Sequence, residues 1–206
     1  MSVNPKSPFY QNPGFVFAFY QYSHSPKTSM LEKIVSIATV SDCVHVGIIP
    51  VNRSFFFEDG QTIKQLEVQD KVYTSFIGYG VQVQKISSVF NQAYEYTFVP
   101  VKIAEYVKGL RFLEGLNGSG YNYTSLPLTI LPSFFKYFSN EKKTSKTEHQ
   151  RVFCSQMALM LLYECDLCTE HKINPSLCSP GDLRCIIDNS SISFPCAINV
   201  FEVVYN

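Results

Sequence analysis

The stretch from Phe153 to Glu164 constrains the fold most, because it predicts a helix with one apolar face. An amphipathic helix buries such a face, so the rest of the chain must supply a core for it. The helix is also predicted to begin at a cysteine, Cys154. Its apolar face is formed by four residues at helical spacing: Met157, Ala158, Leu161 and Leu162.

Around this helix the chain mixes strand-like and helix-like segments without a βαβ rhythm. We predict an α+β domain covering residues 1–206, with residues 1–13 as an irregular N-terminal extension. The second of two further helices ends at a glycine-containing loop, where glycine supplies a C-terminal cap. Those helices are predicted at 29–40 and 103–116, and strands at 14–20, 44–51, 54–58, 63–68, 80–86, 95–101 and 197–205.

The amino-acid composition and charge balance indicate a folded protein with no electrostatic preference for nucleic acid. Of the 206 residues, 46% are hydrophobic and 17% are charged, which excludes a disordered chain. The 17 basic residues balance the 17 acidic ones, so no net charge favours nucleic acid as a partner. The sequence shows no secretory signal and no apolar run long enough to span a bilayer. We therefore expect a cytoplasmic protein whose cysteines are mostly reduced.

Two features of the sequence point to chemistry: His45 on a short β-rich run, and Cys154 at the start of a helix. A thiol attacks as the thiolate. The N-terminus of a helix lowers the thiol pKa, because its unpaired N–H groups and aligned dipole favour negative charge. A neighbouring imidazole would complete a nucleophile–base pair.

A predicted hairpin supplies a residue to orient the imidazole. If residues 52–53 form a two-residue turn, Gly47 faces Glu58, and His45 lies diagonally from Glu58 on the same face. A carboxylate that accepts a hydrogen bond from the ring would fix its tautomer. A bulge at Pro50 would break this register, so the geometry depends on the hairpin.

Along the chain, the candidate residues occur in the order His45, Glu58, Cys154. This order resembles that of the permuted papain-like thiol hydrolases, the circularly permuted branch of the NlpC-type superfamily. That branch includes YiiX-like bacterial proteins and members from poxviruses and other large DNA viruses. The likeness covers roughly residues 14 to 190, although the segment between Asp59 and Leu116 carries no matching motif. The matching positions are His-Val-Gly-Ile at 45–48, Glu58, Gly-Ser-Gly-Tyr-Asn at 118–122, Cys-Ser-Gln at 154–156 and Ser-Pro-Gly-Asp-Leu at 179–183.

The resemblance implies a papain-like fold in which an antiparallel sheet packs against the helix that bears the cysteine. Cys154 would be the nucleophile, His45 the general base and acid, Glu58 the orienting residue, and Tyr121 a residue lining the substrate cleft. The reaction would cleave a peptide, amide or lipid ester through an acyl-enzyme, without a metal or other cofactor. A viral source would place the protein in the host cytoplasm or the virion.

Alternatives to these assignments stay open. The same fold can serve as a non-catalytic binding or virion-associated protein with a vestigial triad. Asp42 is a second candidate for the orienting carboxylate. Cys165 and Cys168 form a Cys-x-x-Cys pair, but a structural zinc site needs a second close pair of ligands, so we interpret them as structural thiols.

Overall fold

The computed structural model of the chain describes residues 11–21, 41–56, 63–89, 94–123, 151–171, 173–190 and 193–196. Its strands are β1 (Gln11–Gln21), β2 (Cys43–Phe56), β3 (Ile63–Val68), β4 (Val72–Phe76), β5 (Gly80–Gln84), β6 (Tyr94–Pro100) and β7 (Phe194–Cys196). Its helices are α1 (Ile86–Val89), α2 (Ile103–Leu116), α3 (Cys154–Glu164) and α4 (Pro180–Asp188), with short 3₁₀ turns at Thr169–His171 and Pro175–Leu177.

The strands form one antiparallel sheet in the order β5-β4-β2-β1-β6-β7, and β3 pairs with β2 beyond this path. β1 pairs with β2 from Gln11↔Phe55 to Gln21↔Cys43, and with β6 on its other side. A largely antiparallel sheet with helices packed on it confirms the predicted α+β class.

The side chains of β1 alternate between two cores, as a strand in the middle of a sheet requires. Phe15, Phe17 and Phe19 pack beneath the helices, on what we call the helix face. Val16 and Ala18 pack on the opposite face. On the helix face, α2 contacts β1 and α3, α3 contacts β2 and β4, and α4 contacts β2.

Helices α2 and α3 approach each other closely at Gly109. A Cβ atom there would lie 2.8 Å from Phe15 Cζ and 2.9 Å from both Cys165 Sγ and Leu161 Cδ1. Glycine therefore allows α2 to pack directly against α3 and β1. α3 is covered on every side, and its residues are all buried from Cys154 to Leu162. The predicted helix with one apolar face is thus an almost wholly buried helix.

The predicted hairpin at residues 52–53 is wrong, because β2 continues without a turn from Cys43 to Phe56. Ser54 pairs with Asn12 of β1 on one side and with Leu66 of β3 on the other. The Ser54 hydroxyl is buried and donates to the Asn12 carbonyl at 2.6 Å. Partner strands on both sides therefore override a turn signal that is only local.

Other predicted elements have mixed outcomes. The bounds of β3 and α2 are confirmed, and α3 begins at Cys154 as predicted. β4 was not predicted, and neither was α4, which residues 179–182 open. Ser179 caps this helix by accepting from the Asp182 N–H at 3.1 Å, while Asp182 accepts from the Ser179 N–H at 2.9 Å. The segments predicted at 29–40 and 197–205 lie outside the described residues.

Candidate active site

The segment that leads into Cys154 is fixed by two neighbours. The Val152 N–H donates to the Gly120 carbonyl at 2.9 Å, and the Ser75 hydroxyl of β4 donates to the Val152 carbonyl at 2.7 Å. β4 and the loop after α2 therefore set the position at which α3 begins. This places the Cys154 side chain on the helix face, next to β2.

The Cys154 thiol lies in a nearly dry environment. The residue is 5% exposed, and burial raises the thiol pKa above its ordinary value. The backbone N–H groups of Val46, Ser155 and Cys154 itself act in the other direction, because they stabilise the thiolate. The predicted lowering of the thiol pKa by the helix N-terminus is therefore wrong for the free protein, in which desolvation outweighs the N–H groups.

His45 has a polar partner on β4. Its Nε2 lies 2.7 Å from Thr74 Oγ1, and its ring stacks on Phe76 with centroids 4.9 Å apart and planes 14° apart. Burial lowers the His45 pKa to about 4, so the ring is neutral at pH 7. With Nε2 engaged, Nδ1 is the nitrogen left for proton transfer.

Thr74 lies beside the His45 ring, in the position that was predicted for Glu58. β2 and β4 pair at Ile48↔Tyr73, and continuing this antiparallel register sets Gly47 level with Thr74. His45 is then the diagonal neighbour of Thr74, the relation predicted for Glu58 across the hairpin. The β-branched and aromatic run at 72–76 is the sequence signal that could have identified this strand.

The two carboxylates considered as orienting residues are Glu58 and Asp42, and of these the structure describes only Asp42. The hairpin that would have brought Glu58 to His45 does not form, and Glu58 itself lies outside the described residues. Asp42 is exposed, whereas His45 Nε2 is already engaged by Thr74. Among the described residues, Thr74 is therefore the group that orients the imidazole.

The structure brings Cys154 to the peptide group that follows His45, but it does not bring thiol and ring together. His45 pairs with Tyr20, and Val46 pairs with Phe19. Phe19, Val46 and Cys154 share the core of the helix face. Because side chains alternate along a strand, the His45 ring points to the opposite face. No hydrogen bond joins the thiol to the ring in the described part of the chain.

The motif at 118–122 packs against the cysteine motif. The Asn122 side-chain amide donates to Gln156 Oε1 at 3.1 Å, and both side chains are buried. Tyr121 is 8% exposed, and burial together with the nearby Cys154 raises its pKa. Tyr121 is therefore near enough to Cys154 to interact with it electrostatically, and its predicted role in lining a substrate cleft stays a prediction.

Comparison with known proteins adds no assignment. No family model matches the chain, and no curated protein or solved structure matches it. Within the described residues, no helix has the length and apolarity needed to cross a membrane. The same residues contain no cluster of three or more His, Cys, Asp or Glu side chains suited to a metal ion.

Proposed function

We propose that the chain is a cysteine hydrolase or acyltransferase with a permuted papain-like fold, cleaving an amide or ester through an acyl-enzyme. The observation that carries the proposal is the arrangement at β2. Cys154 begins a buried helix with its thiol at the Val46 N–H, one peptide group from a His45 ring held by Thr74. The order of His45 and Cys154 along the chain is that of the family, and the thiol reaches the peptide group next to His45, although thiol and ring lie on opposite faces of the sheet.

Motif contacts support the proposed fold. Asn122 bonds Gln156, so the Gly-Ser-Gly-Tyr-Asn stretch lies against the Cys-Ser-Gln stretch. The Ser-Pro-Gly-Asp-Leu stretch caps α4 and approaches the start of β2, because a Cβ on Gly181 would lie 2.5 Å from Ser41 Oγ. Segments that are far apart in the chain, and that resemble the family, therefore pack together around Cys154.

In the proposed mechanism, a substrate carbonyl binds at the Cys154 thiol. The His45 ring lies on the sheet face opposite the thiol in this structure, so it must first leave Thr74 and turn towards Cys154. A ring nitrogen then takes the thiol proton as sulfur attacks, and the acyl group is transferred to sulfur. The ring then protonates the leaving group and activates water or another acceptor. The Cys154 N–H would stabilise the oxyanion. We place this rearrangement and the proton transfer after substrate binding, because catalytic contacts often form only in the substrate complex.

A non-catalytic binding protein with the same fold is the second candidate. It is favoured by the burial of Cys154, the raised pKa of its thiol and the lack of contact with His45. In that case Cys154 is a small core residue. The viral source and the cytoplasmic or virion location stay predictions from the sequence.

Turnover separates the two candidates. We would measure hydrolysis of a peptide, an aliphatic amide and a decanoyl thioester by the wild type, Cys154→Ala and Cys43→Ala. Cys43 is the matched control, because it is a second buried thiol on the helix face. The hydrolase proposal expects turnover that Cys154→Ala abolishes and Cys43→Ala retains. Equal activity in both variants would assign any turnover to another group.

A further inference from the structure

The pairing between β2 and β4 is shorter than either strand. All five residues of β4 pair with β5, whereas in the described part of the chain β4 pairs with β2 only at Ile48↔Tyr73. An antiparallel ladder continued from that pair would set Val46 level with Ser75. This pair does not form. At the level of Val46 and Ser75, the two strands therefore bind something other than each other.

The segment that leads into α3 lies at this level on the helix face. The Ser75 hydroxyl donates to the Val152 carbonyl at 2.7 Å, and the Val46 N–H donates to the Cys154 sulfur. Val152 thus binds β4, while Cys154 binds β2. Phe153, between them, is extended, with φ −102° and ψ 171°. Because an extended residue links its two neighbours directly, a shift of the Val152 peptide group also moves Cys154.

The surroundings of the Ser75 hydroxyl are dry, so water does not readily replace it. Ser75, Val152 and Phe153 are all buried. The Val152 carbonyl also lies outside the hydrogen-bond ladder of α3, in which the Phe153 carbonyl is the first to accept, from the Met157 N–H at 2.9 Å. A buried carbonyl that loses its donor is unfavourable. The hydroxyl of Ser75 therefore fixes this segment in place.

The thiolate form of Cys154 is stabilised by three N–H groups that differ in where they lie. Those of Cys154 and Ser155 belong to α3 and move with the thiol. The N–H of Val46 belongs to β2, so its bond to sulfur depends on the place of α3 relative to the sheet. That place is what the bond between Ser75 and Val152 sets.

We propose that Ser75 is a positioning residue, which holds the Cys154 thiol at the Val46 N–H by fixing the Val152 carbonyl. The inference rests on the proposed function for its catalytic meaning, because a thiol attacks as the thiolate and needs donors around it. The placement itself does not require turnover. Without the hydroxyl, the thiol would lose the Val46 N–H and keep only the N–H groups of its own helix.

Amide hydrogen exchange measured by NMR tests this placement without catalysis. We would compare the exchange rate of Val46 with that of Ile48, an internal reference on β2, in the wild type, Ser75→Ala and Cys154→Ala. Ser54→Ala is the matched control, because Ser54 is also a buried serine that donates to a backbone carbonyl, at 2.6 Å. We expect the ratio of Val46 to Ile48 rates to rise about tenfold in Ser75→Ala and Cys154→Ala. In Ser54→Ala it should equal that of the wild type.

Each outcome decides the proposal. An unchanged ratio in Ser75→Ala would overturn it, and so would a rise of the same size in Ser54→Ala, which would assign the effect to a general loss of stability. An unchanged ratio in Cys154→Ala would show that the thiol is not the acceptor of the Val46 N–H. Ser75→Cys retains a weaker donor and should give a smaller rise, and it serves the same comparison if Ser75→Ala does not fold.

The same measurements separate this inference from the proposed function. A ratio that depends on Ser75, in a protein without turnover, would retain the positioning of the thiol and reject only the hydrolase. Turnover that depends on Cys154, with a ratio indifferent to Ser75, would retain the hydrolase and reject only the role of Ser75.

Discussion

The partly buried imidazole makes the protein sensitive to acid, and the size of the effect follows from the His45 pKa. Burial lowers this pKa from the usual 6.5 to about 4 in the folded state. Between pH 6.5 and pH 4, His45 therefore binds a proton in the unfolded chain but stays mostly unprotonated in the folded chain. The contribution of His45 to stability is complete above pH 6.5 and is lost as the pH falls towards 4. At about 1.4 kcal/mol per pKa unit, the loss is roughly 3 kcal/mol between pH 7 and pH 4.

Comparison with His45→Gln isolates this effect from the other titrating groups. Glutamine keeps a hydrogen-bonding side chain beside Thr74 but has no charge to gain. We would measure the free energy of unfolding by urea denaturation from pH 4 to pH 8 for both proteins. The difference between them should change by roughly 3 kcal/mol over this range, with the wild type losing more stability in acid. A difference that is constant with pH would refute the assignment of a neutral, partly buried His45.

Substitutions at three other places in the structure are tested by the same measurement of the free energy of unfolding. Thr74→Val leaves the His45 ring nitrogen without its partner and should cost about 1–3 kcal/mol; Thr74→Ser should cost less, and equal losses would argue against the bond. Gly109→Ala should lower the free energy of unfolding by about 1–3 kcal/mol, because the added methyl group overpacks α2 against α3. Gly115→Ala is the control on the same helix, has open space around it, and should stabilise the protein by up to about 1 kcal/mol. Similar effects at both sites would contradict the close approach of α2 to α3 at Gly109. Ser179→Ala removes the cap of α4 and should cost about 1 kcal/mol, and an unchanged stability would mean that the cap contributes nothing.

Local patterns were sufficient to predict several elements from the sequence. The glycine-containing loop after the last turn delimited the end of α2, and the apolar periodicity after Cys154 delimited α3. Both signals lie within the segment itself. The capping signal of α4, a serine followed three residues later by an aspartate, is also local to its segment.

The parts that could not be predicted depend on contacts between distant segments. Thr74 and Ser75 interrupt the apolar pattern of β4, and their hydroxyls are satisfied by His45 and by the Val152 carbonyl, which are far away in sequence. The direction of the Cys154 pKa shift likewise depends on how completely the packed elements exclude water. For the same reason, local sequence patterns identify His45 and Cys154 as candidate residues, whereas Thr74 is identified only by the pairing of β2 with β4.

The most direct test of the central claim is to trap the acyl group on the protein and locate it. We would incubate the wild type, Cys154→Ala, Cys43→Ala and His45→Gln with a decanoyl thioester and map the adduct by peptide mass spectrometry. The account predicts a decanoyl group on Cys154 in the wild type and in Cys43→Ala, none at that position in Cys154→Ala, and acylation about a hundredfold slower in His45→Gln. Acylation confined to the exposed Cys185, or a Cys154 rate indifferent to His45, would contradict it.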